Sequence, residues 1–148
     1  MRVLVDTNIL LQSAQPAHPF HLTTTNAVFR LLDQSDSVFF CAQNIAEFLN
    51  VATRPRQANG LGMSTEEALK EVDKIESLFT LLPDVAGIYT ELKNLVARHH
   101  VQGVKVYDAR LVAVMIVYSV DSILTFNVAD FKRYSNITPL HPSSLTSP

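Results

Sequence analysis

Five polar positions in this chain stand where their neighbours make an ordinary role questionable. Asp6 follows the apolar run Val3-Leu4-Val5 in "MRVLVDTNILLQS". A carboxylate at the end of a buried strand is unfavourable unless something pairs with it, so Asp6 either caps the next helix or holds a charge for chemistry. Asp108, in "VKVYDARLVAVM", stands in the first turn of a helix almost devoid of other charge, where the helix dipole favours an ionised carboxylate. Glu47 lies within "NIAEFLN". At 100° per residue it falls about 200° from Ile45, off the main apolar stripe, so periodicity alone turns it toward solvent. Asn127 and Asp130 follow a late apolar segment in "SILTFNVADF". Singly, each of these residues has a plain reading as a cap or a solvated charge. Gathered at one edge, three or four carboxylates would repel one another unless a cation held them. Hard oxygen donors suit Mg²⁺ or Mn²⁺, which keep several waters and bind phosphate as well. Such an ion lowers the pKa of a bound water and neutralises a scissile phosphate, and two ions about 3.5–4 Å apart hold the attacking and leaving oxygens in line.

The elements that must position these residues alternate. Arg2–Val5 reads as a short buried strand and Asn8–Ser13 as the start of a helix, broken by Pro16 and Pro19. Ala27, Val28, Leu31 and Leu32 have helical spacing after three threonines. "SVFFCA", residues 37–42, is a second strand. "QNIAEFLNVATR" places Ile45, Phe48, Leu49 and Ala52 on one helical face and stops at Pro55. After the loop 56–63, Ser64 and Glu67 form a capping box for the next helix. "TLLPDV" is a third strand candidate, residues 86–100 a helix ended near Gly103, and Asp108–Tyr118 an apolar helix. "SILTF", residues 122–126, and "ITPL", residues 137–140, complete the strands. This alternation predicts an α/β domain whose sheet is mostly parallel. In such sheets ligands sit beyond the carboxyl ends of the strands, where both Asp6 and the 126–130 segment fall. Residues 143–148 read as a frayed tail.

Composition narrows the function. The 148 residues suit one ordinary domain, and the 47% apolar content is enough for a core. A formal charge of −2 provides no global attraction to nucleic acid. Residues 64–78 carry five acidic and two basic side chains. Setting these aside from the chain's 14 and 12 leaves nine acidic and ten basic residues. Arg54, Arg56, Lys105, Arg110, Lys132 and Arg133 lie near the polar segments and are candidates to line a phosphate path. The single cysteine, Cys41, permits no internal disulfide and reads as core packing. No apolar run reaches membrane-spanning length and the start lacks a signal-peptide pattern, so a cytoplasmic, membrane-free protein is expected. The His18, His21 and His99-His100 positions read as surface or loop residues. Dinucleotide, P-loop and nucleophile-elbow motifs are missing. Asn8 stands where an aspartyl-nucleophile phosphatase would carry a second Asp.

The order and spacing of "VDTNIL", "AEFLNVATRP", "YDARLVAVM" and "ILTFNVADF" resemble the PIN domain family of VapC-type toxins, and "ITPLHP" resembles its closing strand. The likeness covers residues 1–142. It implies one PIN-like three-layer domain, a central sheet flanked by helices, and a Mg²⁺- or Mn²⁺-dependent endoribonuclease. It places Asp6, Glu47 and Asp108 as the acidic metal ligands. The family's fourth position falls on Asn127, an amide here, with Asp130 three residues on; either completes the site. The resemblance further implies a toxin of a toxin–antitoxin pair, a homodimer, and a small antitoxin that inserts into the acidic groove. The alternative is a non-catalytic PIN-like module that binds RNA or protein.

Overall fold

The computed structural model describes residues 1–34 and 37–145. β1 (Arg2–Val5) leads into α1 (Thr7–Ser13), α2 (His21–Asp33), β2 (Ser37–Cys41) and α3 (Ala42–Thr53). There follow α4 (Thr65–Leu78), β3 (Thr80–Leu82), α5 (Ala86–His99) and α6 (Lys105–Val117). β4 (Ser122–Leu124), α7 (Val128–Phe131) and β5 (Thr138–Leu140) complete the order. The five strands form one sheet in the order β3-β2-β1-β4-β5. Every neighbouring pair runs parallel.

Strand periodicity divides the core in two. Side chains alternate across a strand, so Val3 and Val5 of β1 face one way and Leu4 the other. Val3, Val5, Val38, Phe40 and Leu124 pack under α1–α4. Leu4, Phe39, Cys41 and Ile123 pack under α5 and α6, with Phe131 of α7. The result is three layers, helices–sheet–helices, as the alternation predicts. α6 explains its own apolar sequence: Leu111–Met115 are all buried, because a helix between the sheet and α5 meets protein on most sides.

The last described residues form a turn of their own. Pro142–Leu145 form a 3-10 turn in which Ser144 bonds the His141 carbonyl through both its amide and its hydroxyl. Leu145 packs against the cluster that includes Ala27, Val28 and Leu31 of α2, and that apolar contact orders the segment. Residues 146–148 lie outside the described residues. β4 ends at Leu124 rather than Phe126, and a one-turn helix, α7, follows, with Phe131 anchoring it in the core.

The path of the chain creates the place for a site. From central β1 the connections step outward to β2 and β3, then return to β4 on the other flank. The crevice at the carboxyl ends of β1 and β4 is therefore the topological switch point, where open α/β sheets take their ligands.

Candidate functional site at the carboxyl edge of the sheet

Asp6 and Thr125 are the first residues beyond β1 and β4. Their backbones continue the sheet, with the Asp6 amide bonded to Leu124 O at 2.9 Å and the Thr125 amide to Leu140 O at 2.9 Å. Asp6 is only 7% exposed. Its Oδ1 accepts from the Thr7 amide at 2.7 Å, so it does cap α1. Its Oδ2 accepts from the Thr125 hydroxyl at 2.7 Å and from Asn8 Nδ2 at 3.4 Å. The two readings of Asp6 are therefore compatible. A carboxylate offers about four lone-pair sites, and these three donors leave room for one more partner. Burial pushes its pKa above the ordinary carboxylate value despite the hydrogen bonds, with the charges of Glu47 and Asp130 adding to the rise.

Glu47 departs from the periodicity reading. It is only partly exposed and faces α1, where its Oε2 accepts from the Thr7 hydroxyl at 3.2 Å. Its Oε1 accepts from Gln43 Nε2 at 2.6 Å. The flank of α3 away from the apolar stripe does not meet open water there; it meets the helix that follows β1. Asn44 belongs to the same network. Its side chain donates to Thr7 Oγ1 at 3.3 Å and accepts the Cys41 amide at 2.9 Å.

Asp108 lies in the first turn of α6, which begins three residues earlier than the sequence pattern predicts. Its carboxylate is partly buried, and among the described residues it accepts no hydrogen bond and makes no ion pair. Its pKa is pushed up to about 6, first by burial, then by the charges of Asp6 and Asp130, with Glu47 adding to them. Lys105 opposes this rise but is itself paired to Asp130 at 2.7 Å.

The four carboxylates thus come from four separate segments and act on one another in one field. Asn127 stands apart by its side chain, which is exposed and caps nothing, while its amide donates to Thr125 Oγ1 at 2.9 Å. Among the described residues no three His, Cys, Asp or Glu side chains close into a ready-made ligand set for one ion. Asp6 and Glu47 are engaged by hydroxyl and amide donors and Asp130 by Lys105, which leaves Asp108 as the carboxylate of the four without a partner among the described residues.

The basic candidates divide. Arg110 is committed to Gln43 Oε1 at 3.0 Å and to Asp84 at 3.1 Å. Arg133 reaches the His99 carbonyl at 3.4 Å. Arg56 and Lys132 are exposed. Of the histidines, His18 lies in the loop between α1 and α2 and tilts against Phe20, while His99, at the end of α5, packs edge-on against Tyr134. Cys41 is fully buried, as a core residue should be, and its thiol pKa is raised by that burial. Gln43, Asn44 and Thr125 are polar groups of this network that the motif pattern does not mark. Gln43 carried a signal, since it lies one turn before Glu47 on the same helical flank.

A PIN domain family model matches residues 3–137. No curated protein matches the chain by sequence. Among solved structures the chain is similar to one in VapBC2 from Rickettsia felis bound to a promoter DNA fragment, at 15% identity and TM-score 0.69, covering 95% of this chain and 98% of that one. It is similar to a chain of DNA-bound VapBC from Salmonella typhimurium, at 16% identity and TM-score 0.68, covering 96% and 98%. It is also similar to VapC20 from Mycobacterium tuberculosis, described as a sarcin-ricin loop cleaving toxin, at 14% identity and TM-score 0.65, covering 89% and 95%. At these identities the likeness speaks for the fold. With the family match spanning nearly the whole chain, this protein belongs to the PIN domain family.

Proposed function

We propose that this chain is a divalent-metal-dependent endoribonuclease and the toxin of a toxin–antitoxin pair. One observation carries the reading: Asp108, partly buried and unpaired, sits in the field of three further carboxylates at the topological switch point of the sheet. Nothing in the packing of α6 calls for a carboxylate at that place. A hard cation would relieve the repulsion, and the all-oxygen donor set suits Mg²⁺ or Mn²⁺. Asp6, Glu47 and Asp108 would hold it. Asp130 acts on the same field and is the better placed of the two residues left open; Asn127 is the alternative. Such an ion, when bound, would activate water and offset charge on the scissile phosphate. The protein's own contribution is orientation. Thr125, Thr7 and Asn8 fix Asp6 in one rotamer, and Thr7 and Gln43 fix Glu47.

RNA as substrate and an antitoxin as partner are supported by the family and by the VapBC complexes that share the fold. An apolar cleft of about 150 Å³ between α1, α2 and α4, lined by Leu10, Val28, Phe29 and Leu78, offers a protein partner a separate surface. A homodimer belongs to the same reading. Among the described residues no helix is long and apolar enough to cross a membrane.

The test is cleavage of a mixed RNA pool by purified protein with Mg²⁺, with Mn²⁺ and with chelator, beside Asp108→Asn. Asparagine keeps the size of the side chain and removes the charge. Metal-dependent cutting by wild type, reduced at least about a hundredfold in the variant, is expected for the loss of a metal ligand. Cutting that survives chelator or the substitution would overturn the metal mechanism. RNA binding with no cutting by either protein would favour the non-catalytic module.

A further inference from the structure

Gln43, in the first turn of α3, is 8% exposed, and both ends of its amide are engaged. Nε2 donates to Glu47 Oε1 at 2.6 Å and to the backbone carbonyl of Tyr107 at 2.8 Å. Oε1 accepts from Arg110 Nη1 at 3.0 Å. The amide can sit only one way round, because exchanging its ends would set an N–H₂ against a guanidinium and an oxygen against a carboxylate. Arg110 in turn is held at its other nitrogen by Asp84 at 3.1 Å. A cation on the acceptor end polarises the amide and strengthens donation at the other end. Tyr107 immediately precedes Asp108, so one side chain on α3 grips a carboxylate of its own helix and the backbone beside a carboxylate of α6.

Packing does not explain this residue. A methionine has the same length and would fill the same space, whereas three matched polar contacts are characteristic of a group that fixes its neighbours. We propose that Gln43 is a positioning residue, which sets Glu47 and the first turn of α6, and hence Asp108, relative to one another at the site where a divalent ion would be shared. The proposal rests on the metal-site reading above and adds the device that registers the two helices. Outer partners of metal ligands commonly contribute about 10- to 100-fold to metal affinity.

The experiment measures Mn²⁺ affinity of the RNA-free protein from the electron paramagnetic resonance signal of free Mn²⁺. Wild type, Gln43→Met, Glu47→Gln and the double variant are compared, with melting curves recorded in chelator. Gln43→Met should bind Mn²⁺ about tenfold more weakly while its metal-free melting stays cooperative. Most of that loss should vanish in the Glu47→Gln background, because the two side chains act as a unit. Wild-type affinity in Gln43→Met would overturn the positioning role and leave the metal site standing. A wild type that binds no Mn²⁺ would overturn the metal-site reading and this proposal with it. Should Gln43→Met fail to fold, Arg110→Met reads the same contact from its far side. It should weaken Mn²⁺ binding about threefold, and unchanged affinity there would likewise overturn the proposal.

Discussion

Two regions of this protein are acidic, and they behave differently. α4 carries Glu66, Glu67, Glu71, Asp73 and Glu76 along a helix whose acidic side chains are mostly exposed. There Lys74 pairs with Glu71 at 3.1 Å, and Glu67 completes the capping box with Ser64. Water screens the remaining charges, and pairs of this kind contribute a few tenths of a kcal/mol, roughly. The carboxyl edge of the sheet holds fewer acidic residues, yet burial there leaves Asp6 and Asp108 holding their protons more tightly than usual. The number of carboxylates is therefore a poor guide to a site. What matters is whether the fold removes them from water and how it then satisfies them: by hydroxyl and amide donors at Asp6 and Glu47, and, among the described residues, by no hydrogen-bond partner at Asp108.

Changes at the two regions should separate accordingly. The largest effect should come from Thr125→Val. It deprives buried Asp6 of its 2.7 Å donor and the Asn127 amide of its acceptor, costing about 1–3 kcal/mol. Chemical denaturation measures it, and an unchanged midpoint would contradict the account of how Asp6 is satisfied. Cys41→Ala comes next. It removes a buried sulfur that donates to Asn44 and should cost about 1–2 kcal/mol, with RNA cleavage retained. Abolished cleavage by a stably folded variant would show that Cys41 does more than pack.

Acidity itself provides a smaller test. In metal-free protein burial and the neighbouring carboxylates push the Asp108 pKa up to about 6 from an ordinary 3.8. Its raised pKa means that the folded state binds the proton better than the unfolded chain does. Stability is therefore lost as pH rises from the unfolded value through the folded one, and the loss is complete above about pH 6. Asp6 acts in the same direction. Lowering pH from 7.5 to 5 in chelator should stabilise the protein by roughly 0.5–1 kcal/mol after solvent screening, read as a rise in melting temperature. Mn²⁺ should reverse the trend, because its ligands must be deprotonated. The smallest effect belongs to α4. Glu76→Gln should change stability by no more than about 0.5 kcal/mol and leave RNA cleavage unaltered; a clear loss of cleavage would link the two acidic regions after all.

The sequence by itself determined the alternation of elements, the strand character of β1 and β2, the burial of Cys41 and the capping box of α4. These follow from short-range rules: strand period, helix period and the orphan amides at a helix start. It also marked Asp6 and Asp108, because a charge among apolar neighbours stands out locally. Only the tertiary structure decided where Glu47 points. Periodicity fixes a side chain relative to its own helix, and whether the polar flank meets water or another helix depends on where α1 lies. The same holds for Thr125, which reaches Asp6 across 119 positions of sequence because β4 pairs with β1. Gln43 and Arg110 meet across 67 positions. Asn127 and Asp130 are close in the chain, yet one extends into solvent and the other pairs with Lys105, since Phe131 anchors α7 in the core and so sets the directions of both. Local pattern carries the cost of exposing or burying a residue; the partner that relieves that cost is chosen by strand order.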